Sequence, residues 1–281
     1  MSYFKGKRAF LVGASEGIGL ATAVEMVRNG ASVIVAARRE GPLKEACAKM
    51  DAHRVSPEQH IGYVCVDVAD EQAVLNAAQK VNDALGGVDV LLTNVGFARV
   101  GYIHELTGED FQRLLAVNYL GHANVIRAFL PQMMVQKSGD ICLVSSALGF
   151  FSCAGYGPYS ASKYAVRGFA EALRQEMLSH NIGVTMFYPG TTDTPGLKKE
   201  NEGKPAAVWE MESGSSFNTI HQPEDVAKAI LKSIQRGRFD NVLGFENWLM
   251  WALFRWVPRT ARWLADAEWK KAVQKVANRT H

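Results

Sequence analysis

The apolar run Ala9-Phe10-Leu11-Val12 leads directly into Gly13-Ala14-Ser15-Glu16-Gly17-Ile18-Gly19, and an amphipathic segment follows as far as Arg28. A strand that turns into a helix through three glycines brings bare backbone close to whatever lies at the turn. The helix N-terminus offers free N–H groups and the positive end of its dipole, which together suit a phosphate. The spacing is GxxxGxG rather than GxGxxG, and a glycine turn without a ligand would read the same way. Gly13, Ser15, Glu16, Gly17, Ile18 and Gly19 are therefore the candidate contacts of a dinucleotide pyrophosphate.

Further along, short β-rich apolar runs recur at Ser32 to Ala36, Gly62 to Val66, Val90 to Thr93, Asp140 to Val144 and Gly183 to Tyr188. Amphipathic segments separate them, among them Gly19 to Arg28, Glu71 to Leu85, Phe111 to Phe129 and Ala161 to Ser179, with Gly30 as a stop signal after the first. Strands rich in Val and Ile that alternate with helices predict an α/β fold, a Rossmann-type doubly wound parallel sheet covered on both faces. No linker interrupts the pattern before about residue 190, so one domain is expected over residues 1–240, followed by a Trp-rich helical tail over 241–281. Residues 194–222 are polar and rich in Gly, Ser and Glu, which predicts a mobile segment over a site.

Composition narrows the class. Hydrophobic residues make up 48% and charged residues 21% of 281 positions, the balance of a globular enzyme. A formal charge of +3 gives no case for a nucleic-acid partner. The seven histidines show no HExxH spacing, so no metal site is expected, and the four cysteines, Cys47, Cys65, Cys142 and Cys153, read as buried free thiols. No leader peptide and no stretch of ~20 apolar residues is seen, which reads as a cytoplasmic protein.

The end of the second strand selects the cofactor. An acidic residue usually stands there to bind the ribose 2′-hydroxyl of NAD. Here Ala37 takes that place and Arg38 and Arg39 follow. A guanidinium pairs bidentately with a 2′-phosphate, so NADPH/NADP+ is the expected cofactor, with two solvated arginines opening a loop as the alternative. Asp67, with Val68 beside it, closes the third strand within reach of an adenine, or else caps the next helix.

Tyr159 and Lys163 lie four residues apart on one face of a predicted helix. A lysine ammonium beside a phenol is expected to lower its pKa from about 10, making a proton donor and acceptor usable near neutrality. Ser146, just after the fifth strand, stands at the carboxyl edge where such sheets bind ligands and can hydrogen-bond a carbonyl oxygen as charge develops on it.

Taken together, the glycine turn, Thr93-Asn94-Val95-Gly96, Asn118, Ser146, Tyr159, Lys163 and Pro189-Gly190 resemble the short-chain dehydrogenase/reductase family across residues 8 to about 235. The resemblance implies that Tyr159 protonates a carbonyl oxygen, Ser146 polarises it, and Lys163 holds the nicotinamide ribose and tunes Tyr159. It implies that Asn118 helps hold a proton-relaying water, and that Asn94 and Gly96 line the adenosine side. Thr192 and Thr194, after Pro189 and Gly190, would meet the carboxamide and phosphates. The family's NNAG reads Thr-Asn-Val-Gly here, a mild departure. A homodimer or homotetramer through the helices carrying Asn118 and Tyr159 is likewise implied.

Within the family, the stretches Tyr159 to Gly168, Tyr188 to Gly196 and Gln222 to Ala227 resemble the 3-ketodihydrosphingosine reductases, which implies NADPH-dependent reduction of a long-chain sphingoid ketone. Another ketone, such as a β-ketoacyl thioester, a steroid or a small carbonyl, remains open, as does a non-enzymatic NADPH-binding interaction protein. Phe97, Phe150, Phe151 and Tyr156 flank the expected carbonyl position, as an acyl channel or as core; Asp193, Glu200 and Glu202 are candidates to meet an ammonium. Five of the six tryptophans fall between 245 and 269, interleaved with Arg255, Arg259, Arg262, Lys270 and Lys271. That pattern fits an interfacial helix on the cytoplasmic face of a membrane, or a helix packed on the protein.

Overall fold

A computed structural model describes residues 2–214 and 219–279. Its strands are β1 (Arg8–Val12), β2 (Ser32–Ala37), β3 (Ile61–Cys65), β4 (Val90–Thr93), β5 (Gly139–Val144), β6 (Ile182–Tyr188) and β7 (Asp240–Val242), all parallel in the order β3-β2-β1-β4-β5-β6-β7. Every expected strand is present to within about a residue. The seventh lies outside the sequence expectation because Asp-Asn-Val carries too little apolar signal to register.

Helices α1 (Gly17–Arg28), α2 (Glu40–Asp51) and α9 (Pro223–Arg236) pack on one face, through Ala23, Val27, Leu43, Met50, Ile230 and Ile234. On the other face lie α3 (Glu71–Leu85), α5 (Gly121–Gln136) and α6 (Gly157–Met177), through Val74, Val81, Ile126, Phe129, Val166 and Leu173. Central strands covered on both sides need no polar alternation, which is why β1 and β4 read as unbroken apolar runs. Burying each such aliphatic side chain contributes roughly 1.5–3 kcal/mol.

The expected helix from Phe111 to Phe129 is divided. A capping box of Thr107 and Asp110 starts α4 (Gly108–Leu115), a single π-helical stretch covers Ala116–Leu120, and α5 follows. The π stretch places Asn118 wholly inside the protein. A single π turn carries no proline or other breaker inside Ala116–Leu120 to mark it, so the sequence pattern ran straight through it.

The polar segment after β6 is more ordered than its composition suggests. It forms α7 (Pro195–Asn201), capped by the Thr194 hydroxyl, and α8 (Ala206–Gly214); residues 215–218 of that expected segment lie outside the described residues. The tail forms α10 (Phe245–Trp256) and α11 (Pro258–Ala277), broken at Val257 because Pro258 opens the second helix and cannot continue the first. No helix among the described residues is long and apolar enough to cross a membrane. All four cysteines are free, but only Cys142 is fully buried; Cys65 is exposed, because β3 is an edge strand and Cys65 is its last residue.

Candidate active site

The strand order reverses between β1 and β4, and the connections diverge there at the carboxyl edge of the sheet. A cavity of about 880 Å³ opens at this edge. Gly13 turns with φ +75°, and a Cβ there would collide with the Asn94 carbonyl oxygen. Asn94 donates its side-chain N–H to Gly13 O at 3.2 Å, which ties the end of β4 to the turn. Ser15, Glu16, Gly17 and Ile18 line the cavity beside Gly13, whereas Gly19 packs beneath that turn and does not reach it.

Ala37 ends β2, and Arg38 and Arg39 face the same compartment. Arg39 pairs with Glu16 at 3.1 Å, both partners well exposed. Asp67 and Val68 line the opposite side; the Asp67 carboxylate also accepts from Ala69 N at 3.1 Å, while Asp70 caps α3. Pro189, Gly190, Thr192 and Thr194 close this half from the end of β6.

At the other end stand Ser146, Tyr159 and Lys163, with Gly96 against them. Gly96 has φ +150°, and a Cβ would come 3.0 Å from Lys163 Nζ and 3.2 Å from Asn118 Oδ1, so a side chain there would strain the backbone and press on the lysine. Lys163 donates to Val95 O at 3.4 Å, and its Nζ stands 5.8 Å from the Tyr159 ring centroid. Burial pushes Lys163 down to about 8. The Tyr159 phenol moves opposite to expectation: burial first, then the Glu200 charge, push it up, and only a hydrogen bond with Ser146 opposes them. Desolvation governs the phenol, so Tyr159 is held as an acid.

Asn118 stands behind the wall rather than in the cavity. Its Oδ1 accepts from Phe97 N at 3.0 Å, and its amide donates to Phe97 O at 2.9 Å and to Ser162 Oγ at 3.0 Å. It thus fixes the loop after β4 against α6. Sequence reasoning missed His122, which is buried with Nδ1 2.7 Å from Thr93 Oγ1 and Nε2 3.1 Å from Val95 O. Only an N–H can meet a carbonyl, so Nε2 donates to Val95 and Nδ1 accepts from Thr93. Burial pushes this ring down to about 3, so it is neutral. Thr93, which departs from the family's asparagine, has a partner in His122; a lone histidine within an apolar helix gave no signal of it.

The remaining volume is the substrate half. Phe97, Phe151 and Tyr156 line it; Phe150 does not, being packed in the core 5.5 Å from Tyr188 between ring centroids. The tail forms its roof. Phe254 stacks on Phe151 at 5.3 Å, Trp269 meets Tyr102 edge-on at 6.3 Å, and Met250, Leu253 and Leu264 add apolar lining. Glu210 of α8 holds α11 in place by pairing with Lys275 and, at 2.7 Å, with Arg279. Of the acidic candidates only Glu200 lines the cavity, joined by Glu212 and, from the tail, Asp266 and Glu268, which the sequence did not single out.

Comparison with known proteins agrees with this architecture. Residues 7–205 match the short chain dehydrogenase family. A 3-ketodihydrosphingosine reductase of Bos taurus is 35% identical over 249 residues, covering 88% of this chain and 74% of its own. A 3-dehydrosphinganine reductase of Arabidopsis thaliana is 35% identical over 270 residues, covering 94% of this chain and 79% of its own. The solved structure of a short-chain type dehydrogenase/reductase from Mycobacterium marinum superposes with a TM-score of 0.77 at 26% identity, over 85% of this chain and 94% of that one. Sheet order, site and similarity converge: the chain belongs to the short-chain dehydrogenase family and is a nicotinamide-dependent oxidoreductase.

Proposed function

We propose that this chain reduces the 3-keto group of 3-ketodihydrosphingosine to the alcohol with NADPH. The observation that carries the reading is the similarity, over 88% of the chain, to relatives that bear that activity in their names. A cavity with an apolar outer half supports it, since a long acyl chain needs such a lining. The glycine turn fits a dinucleotide, because the absence of a Cβ at Gly13 lets the turn close against Asn94 while bare backbone lines the cavity. Arg38 and Arg39, with no carboxylate at Ala37, fit a 2′-phosphate.

A bound nicotinamide supplies the hydride, and the chain's own residues handle the proton. Ser146 orients the carbonyl oxygen, and Tyr159, held as the acid, gives its proton to that oxygen as charge develops. Lys163 stands over the same phenol and replaces its proton from the ammonium form, which it keeps below about pH 8. Asn118 and His122 keep the loop that carries Val95 and Gly96 in register with Lys163.

The deciding experiment is NADPH consumption with 3-ketodihydrosphingosine in mixed micelles, beside an acetoacetyl thioester and a simple ketone. A kcat/KM for the sphingoid ketone higher by at least about a hundredfold is expected, the scale that a filled apolar cavity provides. Turnover of the other ketones alone would keep the chemistry and remove the lipid assignment.

The tail is proposed to serve the same substrate as a C-terminal extension, residues 241–281, that rests on a membrane surface. Phe245, Trp248, Trp256 and Trp263 are exposed on α10 and α11, with Val257 exposed between them, Trp256 at 73% and Trp263 at 67%. Arg255, Arg259 and Arg262 are exposed among them. Aromatic rings with basic neighbours suit the headgroup region of anionic lipid. The intact chain is expected to float with anionic vesicles, and Trp256→Ser/Trp263→Ser to stay largely in the pellet fraction. Equal flotation of the two forms would remove the membrane role.

A further inference from the structure

Behind the loop that follows β4 lies a polar pair, Thr93 and His122, wholly buried and outside the cavity wall. Its neighbour in the chain brings the histidine there. A Cβ at Gly121 would come 2.6 Å from Val68 Cγ2, so α5 enters close against the sheet edge and its second residue reaches the end of β4. The Thr93 hydroxyl, 2.7 Å from Nδ1 and 3.5 Å from Cys142 O, gives its hydrogen to the ring. The ring's own hydrogen is then on Nε2 and goes to Val95 O at 3.1 Å.

The same carbonyl also receives Lys163, whose Nζ stands at 3.4 Å, beyond the usual length of an N–H···O bond. A buried carbonyl must be satisfied by some donor. With the imidazole N–H in place, a neutral group meets most of that demand and the ammonium is held off. The ring is neutral because burial, and then the Lys163 charge itself, push it down to about 3. With the ring gone, Lys163 is the donor that remains, and it would close on the backbone instead of serving the phenol, whose ring centroid is 5.8 Å from Nζ.

We infer that His122 is a positioning residue for the proton supply: by satisfying Val95 O with a neutral N–H that Thr93 locks in place, it keeps the Lys163 ammonium loosely held and available to Tyr159. The inference rests on the proposed reductase function and adds to it a residue that never touches substrate or cofactor. The titratable groups about the lysine are Tyr159 on its own helix, His122 on α5 and, acting on Tyr159, Glu200 on α7. A hydrogen bond that tightens on an ammonium favours its charged form. Loss of the histidine donor therefore raises the pH at which Lys163 gives up its proton, which burial sets at about 8 in the intact protein.

The test is a titration of the intact chain labelled with 13C at lysine Cε, followed by NMR in wild type, Thr93→Val, His122→Leu and His122→Gln. The Lys163 signal is the one missing from Lys163→Arg. Glutamine can offer an amide N–H to Val95 O and an amide oxygen to Thr93, as the ring does. The Lys163 midpoint is expected to rise by about half to one pH unit in His122→Leu, the worth of one hydrogen bond. It should rise less in Thr93→Val, where the ring keeps its N–H but loses the hydroxyl that polarises it, and return in His122→Gln. The basic limb of kcat for ketone reduction moves with the midpoint, while kcat at pH 7 falls about tenfold in His122→Leu. A midpoint that stays put or falls in His122→Leu, even with the rate depressed, would mean that the histidine only fastens α5 to the loop, and would overturn the inference. Should that variant not fold, Thr93→Val decides by the same criterion. If wild type reduces no ketone, the reductase reading fails, while the lysine midpoints still judge the inference.

Discussion

Tyr159→Phe is expected to lower kcat for ketone reduction by about a hundred- to ten-thousandfold, while NADPH affinity stays within a small factor. The phenyl ring retains the edge-on packing against Tyr156 and the place on α6, so only the hydroxyl and its hydrogen bond with Ser146 are lost. Hydride arriving at a carbonyl without a proton would leave an alkoxide in a buried site, where its charge is poorly solvated. Ser146 alone can polarise that oxygen but not neutralise it. Titration of the variant with NADPH, beside single-turnover reduction, separates the two quantities. A variant that kept its rate would place the acid elsewhere.

Arg38→Asp is expected to shift the ratio of kcat/KM for NADPH over NADH by about a hundred- to a thousandfold toward NADH. The substitution removes a guanidinium from the compartment at the end of β2 and sets a carboxylate there, which repels a 2′-phosphate and accepts from a free 2′-hydroxyl. Arg38 is the sharper position to change because Arg39 is already paired with Glu16. Steady-state rates with both cofactors at fixed ketone give the ratio directly. No change in it would show that the arginines are solvated loop residues and that the phosphate, if read at all, is read elsewhere.

What was legible in the sequence divides along physical lines. The sheet was legible because buried parallel strands are written as unbroken Val and Ile runs, and the glycine turn because a Cβ at Gly13 has nowhere to go. Tyr159, Lys163 and Ser146 were legible as types at a spacing, and the structure brings them to one cavity. Their electrostatics were not: spacing shows that a lysine shares the helix face, but not that burial and Glu200 push the phenol up. Nor could composition show how far the polar stretch after β6 folds back, since α7 and α8 are fixed by one hydroxyl cap, one buried lysine and the ties of Glu210 to α11. Phe150 and Phe151 are adjacent in sequence, yet one packs into the core and the other faces the cavity.

The tail's attachment has a consequence for how such a chain diversifies. The residues proposed to hold the dinucleotide and to move the proton come from the sheet edge and the helices that flank it, whereas the roof over the proposed substrate half is tied to α8 through Glu210 and contributes no strand. Substitutions in α10 and α11 therefore reshape the volume beyond Tyr159 without disturbing β1, β4 or β5. A lineage can exchange one hydrophobic substrate for another by rewriting its last forty or so residues, and the rear half goes on running the same chemistry.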